Sequence, residues 1–180
     1  MKSKDLVYVS LCSVIIIICS WISIPTAVPF TMQTFAIFLT VLVLGGKLGT
    51  VSVLLYLCLG AIGLPVFSGF KGGLAALTGP TGGYLFGFLF TALIMWFFEA
   101  HFGKKKSVFI ISSLIGLFVC YAIGTFWFVR VFTATGGSMD TLTALSMCVI
   151  PFIVPDIAKI FIAFFIGNRV SDSINKSAKN

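Results

Sequence analysis

The sequence predicts an all-α integral membrane protein: one domain over residues 1–180, six transmembrane helices, and ligand-binding loops on the extracellular side. Three observations carry that reading. The 180 residues are 59% hydrophobic and only 9% charged, with a mean hydropathy of +1.15, whereas soluble domains are about 45–50% apolar and about 25% charged. Apolar stretches recur along the whole chain, broken by glycine, proline or charge. Finally, the basic residues fall almost entirely on one side of a six-span chain.

The first span, about residues 6–24, follows Lys2 and Lys4. It is long for a secretory signal, and Pro25 in "SIPTAVPF" spoils a small-x-small cleavage site, so it reads as a retained helix. The loop "IPTAVPFTMQT" leads into the second span, residues 30–44, and Lys47 precedes the third, residues 48–64. A glycine-crowded connection then reaches the fourth span, residues 81–102, which ends in "WFFEAHFGKKK". The fifth covers residues 108–132 and the sixth residues 155–170. Several approach the roughly 20 residues a crossing needs; the second and sixth are short and must tilt little or lean on neighbours. No internal repeat or low-complexity linker divides the chain.

Six spans put both termini on one side. Lys2, Lys4, Lys47, Lys104, Lys105, Lys106, Arg169, Lys176 and Lys179 share that side, against Lys71 and Arg130 opposite and Lys159 within the last segment. The positive-inside rule makes the crowded side the cytoplasmic face of the cell membrane. The net charge of +7 is thereby explained without nucleic acid, since no basic cluster is interleaved with aromatics.

Motifs for chemistry are missing. "LGGKLGT" has a Gly-Lys pair but no upstream glycine at P-loop spacing and no Ser/Thr after Lys47, so the chain does not hydrolyse nucleotide by that route. The five cysteines lie in apolar runs, and His101 is the one histidine; no metal spacing, disulfide frame or catalytic constellation emerges, and no cofactor is implied. Glu99 and His101 read as an interfacial helix end.

The non-cytoplasmic loops look different. Thr31, Gln33 and Thr34 open the second span after Pro25 and Pro29, and six glycines crowd residues 69–83. Glycine permits close backbone approach to a small molecule, and irregular backbone at membrane depth is tolerated where it lines a cavity. In "MCVIPFIVPDIAKIFIAFF", Pro155 and Asp156 read as a helix start, with Lys159 in its first turn on the same face. Lysine there opposes the helix dipole, so helix stability does not account for it. Either Asp156 merely neutralises Lys159, or both serve a site, as intramembrane charges usually do. A helix N-terminus plus an ammonium would suit a carboxylate. Trp21, Phe30, Tyr84, Trp127 and Phe128 fall near the same face; most suit an interfacial belt, and Tyr84, beside the glycines, is the best candidate for a ligand wall.

"VPFTMQTFAIFL", "GLPVFSGFKGGLAALTGPTGGYLFGF" and "PFIVPDIAK" together resemble the BioY family, the biotin-specific substrate-binding (S) components of energy-coupling factor (ECF) transporters. The similarity runs from about Pro25 to Ala163, and the order and spacing of three motifs make it specific. It implies six helices, a vitamin site near the extracellular face built by the loops after helices one, three and five, and docking on a module of one membrane scaffold subunit and two ATPase subunits. By motif, Asp156 and Lys159 would be polar contacts to biotin, surrounded by Thr31, Gln33, Thr81, Gly82, Gly83 and Tyr84. Asp156 suits a ureido N–H and Lys159 the carboxylate. Residues three apart on a helix have Cβ atoms about 5–6 Å apart, shorter than extended biotin, so Lys159 would reach along the tail or both would hold one end. Where the family carries an Ala-x-x-x-Ala-like docking motif on its first helix, this chain has Ser10, Cys12, Ser13, Cys19 and Ser20.

Two other readings predict different residues. A self-sufficient secondary transporter for a small anionic metabolite needs an acidic residue near the bilayer midplane, and Asp5, Glu99 and Asp156 all fall near span ends. A membrane enzyme needs a nucleophile–base or metal constellation that the chain lacks.

Overall fold

The computed structural model describes residues 2–137 and 140–177, without the side chains of Thr141 and of residues 172–177. Its helices are α1 (Ser3–Trp21), α2 (Gln33–Leu44), α3 (Gly46–Ala61), α4 (Leu74–Thr78), α5 (Gly82–Phe102), α6 (Lys106–Ala134), α7 (Thr141–Cys148) and α8 (Ile150–Ser177). The loop after α1 forms a small antiparallel hairpin of β1 (Ser23–Ile24) and β2 (Phe30–Thr31), with Ser23 opposite Thr31. Lys179, assigned above to the basic side, lies outside the described residues.

Among the described residues, α1, α5, α6 and the stretch Leu142–Ser171 are long and apolar enough to cross a membrane. The sequence predicts six spans; α2 and α3, with 12 and 16 residues, rise only about 18 and 24 Å at about 1.5 Å per residue, short of the roughly 30 Å hydrocarbon core. Their packing compensates. Ala36, Ile37, Phe38 and Val41 of α2 are all buried, as are Val53, Tyr56 and Leu57 of α3, so the short pair sits inside the bundle against α1, α5 and α8. One residue, Gly45, joins them at φ 83°, a left-handed conformation that glycine adopts without steric cost. Glu99 secures this end: its Oε2 accepts the Gly46 N–H at 2.7 Å, and Oε1 lies 3.4 Å from Lys104 Nζ.

The most extensive interface, α5 with α6, is built on small residues. A Cβ on Gly87 would lie 2.8 Å from Cys120 Sγ, and one on Gly116 would lie 2.8 Å from Thr91 Cγ2. Backbones therefore approach closely, the usual means of association where lipid removes the hydrophobic drive between helices. Thr91 Oγ1 uses that proximity to donate to the carbonyl of Gly116 at 2.9 Å.

One expectation is corrected. The last helix starts at Ile150, not at Pro155, which lies inside it. Proline forfeits one backbone bond and crowds the carbonyl four residues back, but here that carbonyl belongs to Pro151 in the first turn, where the helix has little to lose. Asp156 and Lys159 thus sit in the second and third turns, away from the helix start, and a carboxylate receptor at that terminus does not form. The small residues of α1 also point inward: Cys12, Ser13 and Ser20 are buried, with Ser13 Oγ donating to Ser52 O at 2.9 Å and Ser20 Oγ to Val66 O at 2.6 Å. Ser10 alone of that set is exposed.

Candidate functional site

A cavity of about 490 Å³ opens at the end of the bundle opposite the lysine-rich turn. Its walls come from the β1–β2 loop, the start of α2, the glycine-rich connection with α4, the first turns of α5, the middle of α6 and the α7–α8 junction. The volume lies within the roughly 300–1,000 Å³ typical of small-molecule sites, and Phe67, Leu85, Phe88 and Phe152 make much of its lining apolar.

The polar floor is the feature the sequence singled out. Asp156 and Lys159 are 3% and 5% exposed and form an ion pair, Lys159 Nζ donating to Asp156 Oδ1 at 2.7 Å. Thr34 Oγ1 donates to the same oxygen at 2.9 Å, and Tyr121 OH to Oδ2 at 2.6 Å. Lys159 Nζ also donates to the carbonyl of Thr31 at 2.6 Å and lies 4.1 Å from the centre of the Phe30 ring. Beside the pair, Thr31 Oγ1 donates to Gln33 Oε1 at 3.0 Å, and Gln33 Nε2 donates to Tyr56 OH at 2.6 Å. Burying two charges costs several kcal/mol per ion unless geometry and hydrogen bonds offset it; here both ends are supported. Among the described residues no buried side-chain nitrogen or oxygen lacks a partner.

Capacity remains on the pair. An ionised carboxylate has about four acceptor positions, and Asp156 uses three. An ammonium has three N–H bonds, and two of those on Lys159 are engaged. The floor can accept one N–H and donate one more, while its net charge is zero.

Six of the eight residues predicted for the site line the cavity: Thr31, Gln33, Thr81, Tyr84, Asp156 and Lys159. Gly82 and Gly83 do not. A Cβ on Gly82 would lie 1.7 Å from the Leu77 carbonyl oxygen, and one on Gly83 2.3 Å from Trp127 Cβ, so both let the start of α5 close on α4 and α6. Tyr84 is held by a hydroxyl contact to Thr125 Oγ1 at 3.0 Å and by Gly124, where a Cβ would lie 2.3 Å from its ring. Trp21 and Trp127 stay outside the lining; their indole N–H groups donate to Pro65 O and Gly79 O, each at 3.0 Å, fixing the glycine-rich connection over the cavity.

Sequence reasoning missed Tyr121, Phe152, Phe88 and Cys148, and left Thr34 out of the site. For Phe152 and Cys148 the signal was present: Cys148, Phe152, Asp156, Lys159, Ile160 and Ala163 are all buried, a helical stripe that runs straight through Pro155. Tyr121 had only its hydroxyl amid an apolar run.

Residues 1–176 match the model of the BioY family. The chain is 40% identical over 170 residues to the biotin transporter BioY of Thermotoga maritima, covering 93% of this chain and 95% of that protein. It is 41% identical over 171 residues to the probable biotin transporter BioY of Pyrococcus horikoshii, covering 94% and 98% respectively. The crystal structure at 2.1 Å of the S-component for biotin from an ECF-type ABC transporter aligns with a TM-score of 0.82 and 30% identity, over 96% of this chain and 95% of that one. In helical architecture, in length and in sequence, the protein is a member of the BioY family.

Proposed function

We propose that this protein is the biotin-capturing subunit of an ECF-type uptake transporter, embedded in the cell membrane with its cavity facing outside. The observation that carries the proposal is the buried, neutral Asp156–Lys159 pair at the base of a largely apolar cavity. A ureido ring presents N–H donors and a carbonyl, matching the acceptor position left on Asp156 and the N–H left on Lys159. The apolar bicycle and valerate chain suit walls such as Phe88 and Phe152. Relatives named biotin transporters over nearly the whole length support the same ligand.

Orientation follows from charge. Lys2, Lys4, Lys47, Lys104, Lys105, Lys106 and Arg169 lie at the end away from the cavity, so the positive-inside rule puts that end and both termini in the cytoplasm. A protein of this kind binds and releases its cargo without covalent chemistry. With no P-loop in the sequence, energy for uptake comes from a partner module of a membrane scaffold and two ATPase subunits, as the likeness to an S-component supports.

Calorimetric titration of biotin into purified protein in detergent tests the ligand. Saturable one-to-one binding is expected; a folded protein that binds no biotin refutes the assignment. Co-purification with a co-expressed ECF module tests the partner, and uptake by this chain alone in energised vesicles would overturn it.

A further inference from the structure

Among the described residues, three charged side chains line the cavity: Lys71, Asp156 and Lys159. The last two neutralise each other at 2.7 Å. A ligand carboxylate brought to Lys159 would crowd the Asp156 oxygen that already shares its ammonium, and like charges disfavour one another at such range. Lys71 differs. It is exposed and, among the described residues, no ion pair or side-chain hydrogen bond engages it, so the cavity's net positive charge resides on it.

The loop that carries Lys71 is built to hold it in place. Phe67 N–H donates to Lys71 O at 2.9 Å, closing a bridge around a short turn at Ser68–Phe70. Gly73 N–H donates to Gly60 O at 2.7 Å, tying the next residues to the end of α3. Between them Gly72 packs so tightly that a Cβ would lie 2.1 Å from Leu64 O. The backbone on both sides of Lys71 is anchored while its side chain stays free to meet a ligand.

We propose that Lys71, rather than Lys159, is the receptor for the ligand's free carboxylate. The neutral ring lies against the buried pair and the acid reaches the exposed lysine at a shallower level. This division removes the mismatch between the length of biotin and a pair only one helical turn apart. The inference rests on biotin as the ligand, and it makes Lys71 the residue that selects the free acid over neutral derivatives.

The test titrates biotin and biotinamide into the wild type, Lys71→Met and Lys71→Arg in the same detergent, at low and high salt. Wild type is expected to prefer the acid by up to about fivefold, the range for an ion pair at an exposed site, with the preference shrinking in salt. Lys71→Met should lose that preference by weakening the acid alone, and Lys71→Arg should retain it. Equal weakening of acid and amide in Lys71→Met, or an intact preference, overturns the role of Lys71 and leaves biotin as ligand untouched. Wild type that binds neither compound refutes the biotin assignment itself and this proposal with it.

Discussion

Removing one partner of the floor pair separates a ligand-binding role from a purely structural one. Lys159→Ala deletes the donor at 2.7 Å from Asp156 Oδ1 and 2.6 Å from Thr31 O, leaving a carboxylate 3% exposed with Thr34 and Tyr121 as its remaining donors. Breaking a buried pair on one side costs about 3–5 kcal/mol of stability. The ligand contact is a separate quantity. One hydrogen bond to a charged group is worth about 1.5–3 kcal/mol, so affinity should fall about 10- to 150-fold. Asp156→Asn keeps the side-chain volume and still offers an oxygen to Lys159, so its stability loss should be smaller while its binding loss is comparable. The assay is biotin calorimetry beside thermal melts of the same preparations. A stability loss with affinity within twofold of wild type in both variants would refute the reasoning and reduce the pair to an internal ion pair.

Three further outcomes follow from the geometry. Tyr84→Ala should weaken biotin binding more than Trp21→Ala, because Tyr84 lines the cavity and Trp21 braces Pro65 from outside; calorimetry giving the reverse order would mean the wrong aromatic has been assigned to the wall. Gly124→Ala places a Cβ 2.3 Å from the Tyr84 ring, overpacking that costs about 1–3 kcal/mol and pushes the ring toward the ligand, so melting temperature and affinity should fall together. Glu99→Gln should lower the melting temperature by weakening the acceptor for Gly46 N–H, a charge-assisted bond worth about 1.5–3 kcal/mol, yet leave biotin affinity unchanged at the opposite end of the bundle.

Much of the fold is legible in the sequence because lipid imposes a simple grammar. Backbone polar groups must be satisfied within each segment, so apolar runs become helices and their order follows. The misreadings came where a residue type has two meanings. Pro155 usually opens a helix, yet one turn downstream of Ile150 its missing donor removes a single bond near the end. The glycines before Tyr84 suit a loop that meets a ligand, yet Gly82 and Gly83 face Leu77 and Trp127. Tyr121 carried no local signal because its role depends on Asp156, thirty-five residues away in the chain. Asp156 and Lys159 stood out for the opposite reason: charge in an apolar run is costly wherever the fold puts it.

That cost explains why the floor is built as it is. A lone buried lysine would attract any small anion and would need a ligand to stabilise it. Pairing it with Asp156 cancels the charge, and Thr31, Thr34, Tyr121 and the Phe30 ring support both ends without a ligand. What remains is one acceptor position on Asp156 Oδ2 and one donor position on Lys159, on a pair braced by β2, α2 and α6. Such a floor discriminates by hydrogen-bond pattern rather than by charge: a group that offers N–H and C=O together gains two bonds, while a simple carboxylate gains one and meets Asp156. Preorganisation of this kind limits the ordering that binding must impose. It also leaves charge recognition to the loop that carries Lys71, so ring and acid are read by separate elements of the same cavity.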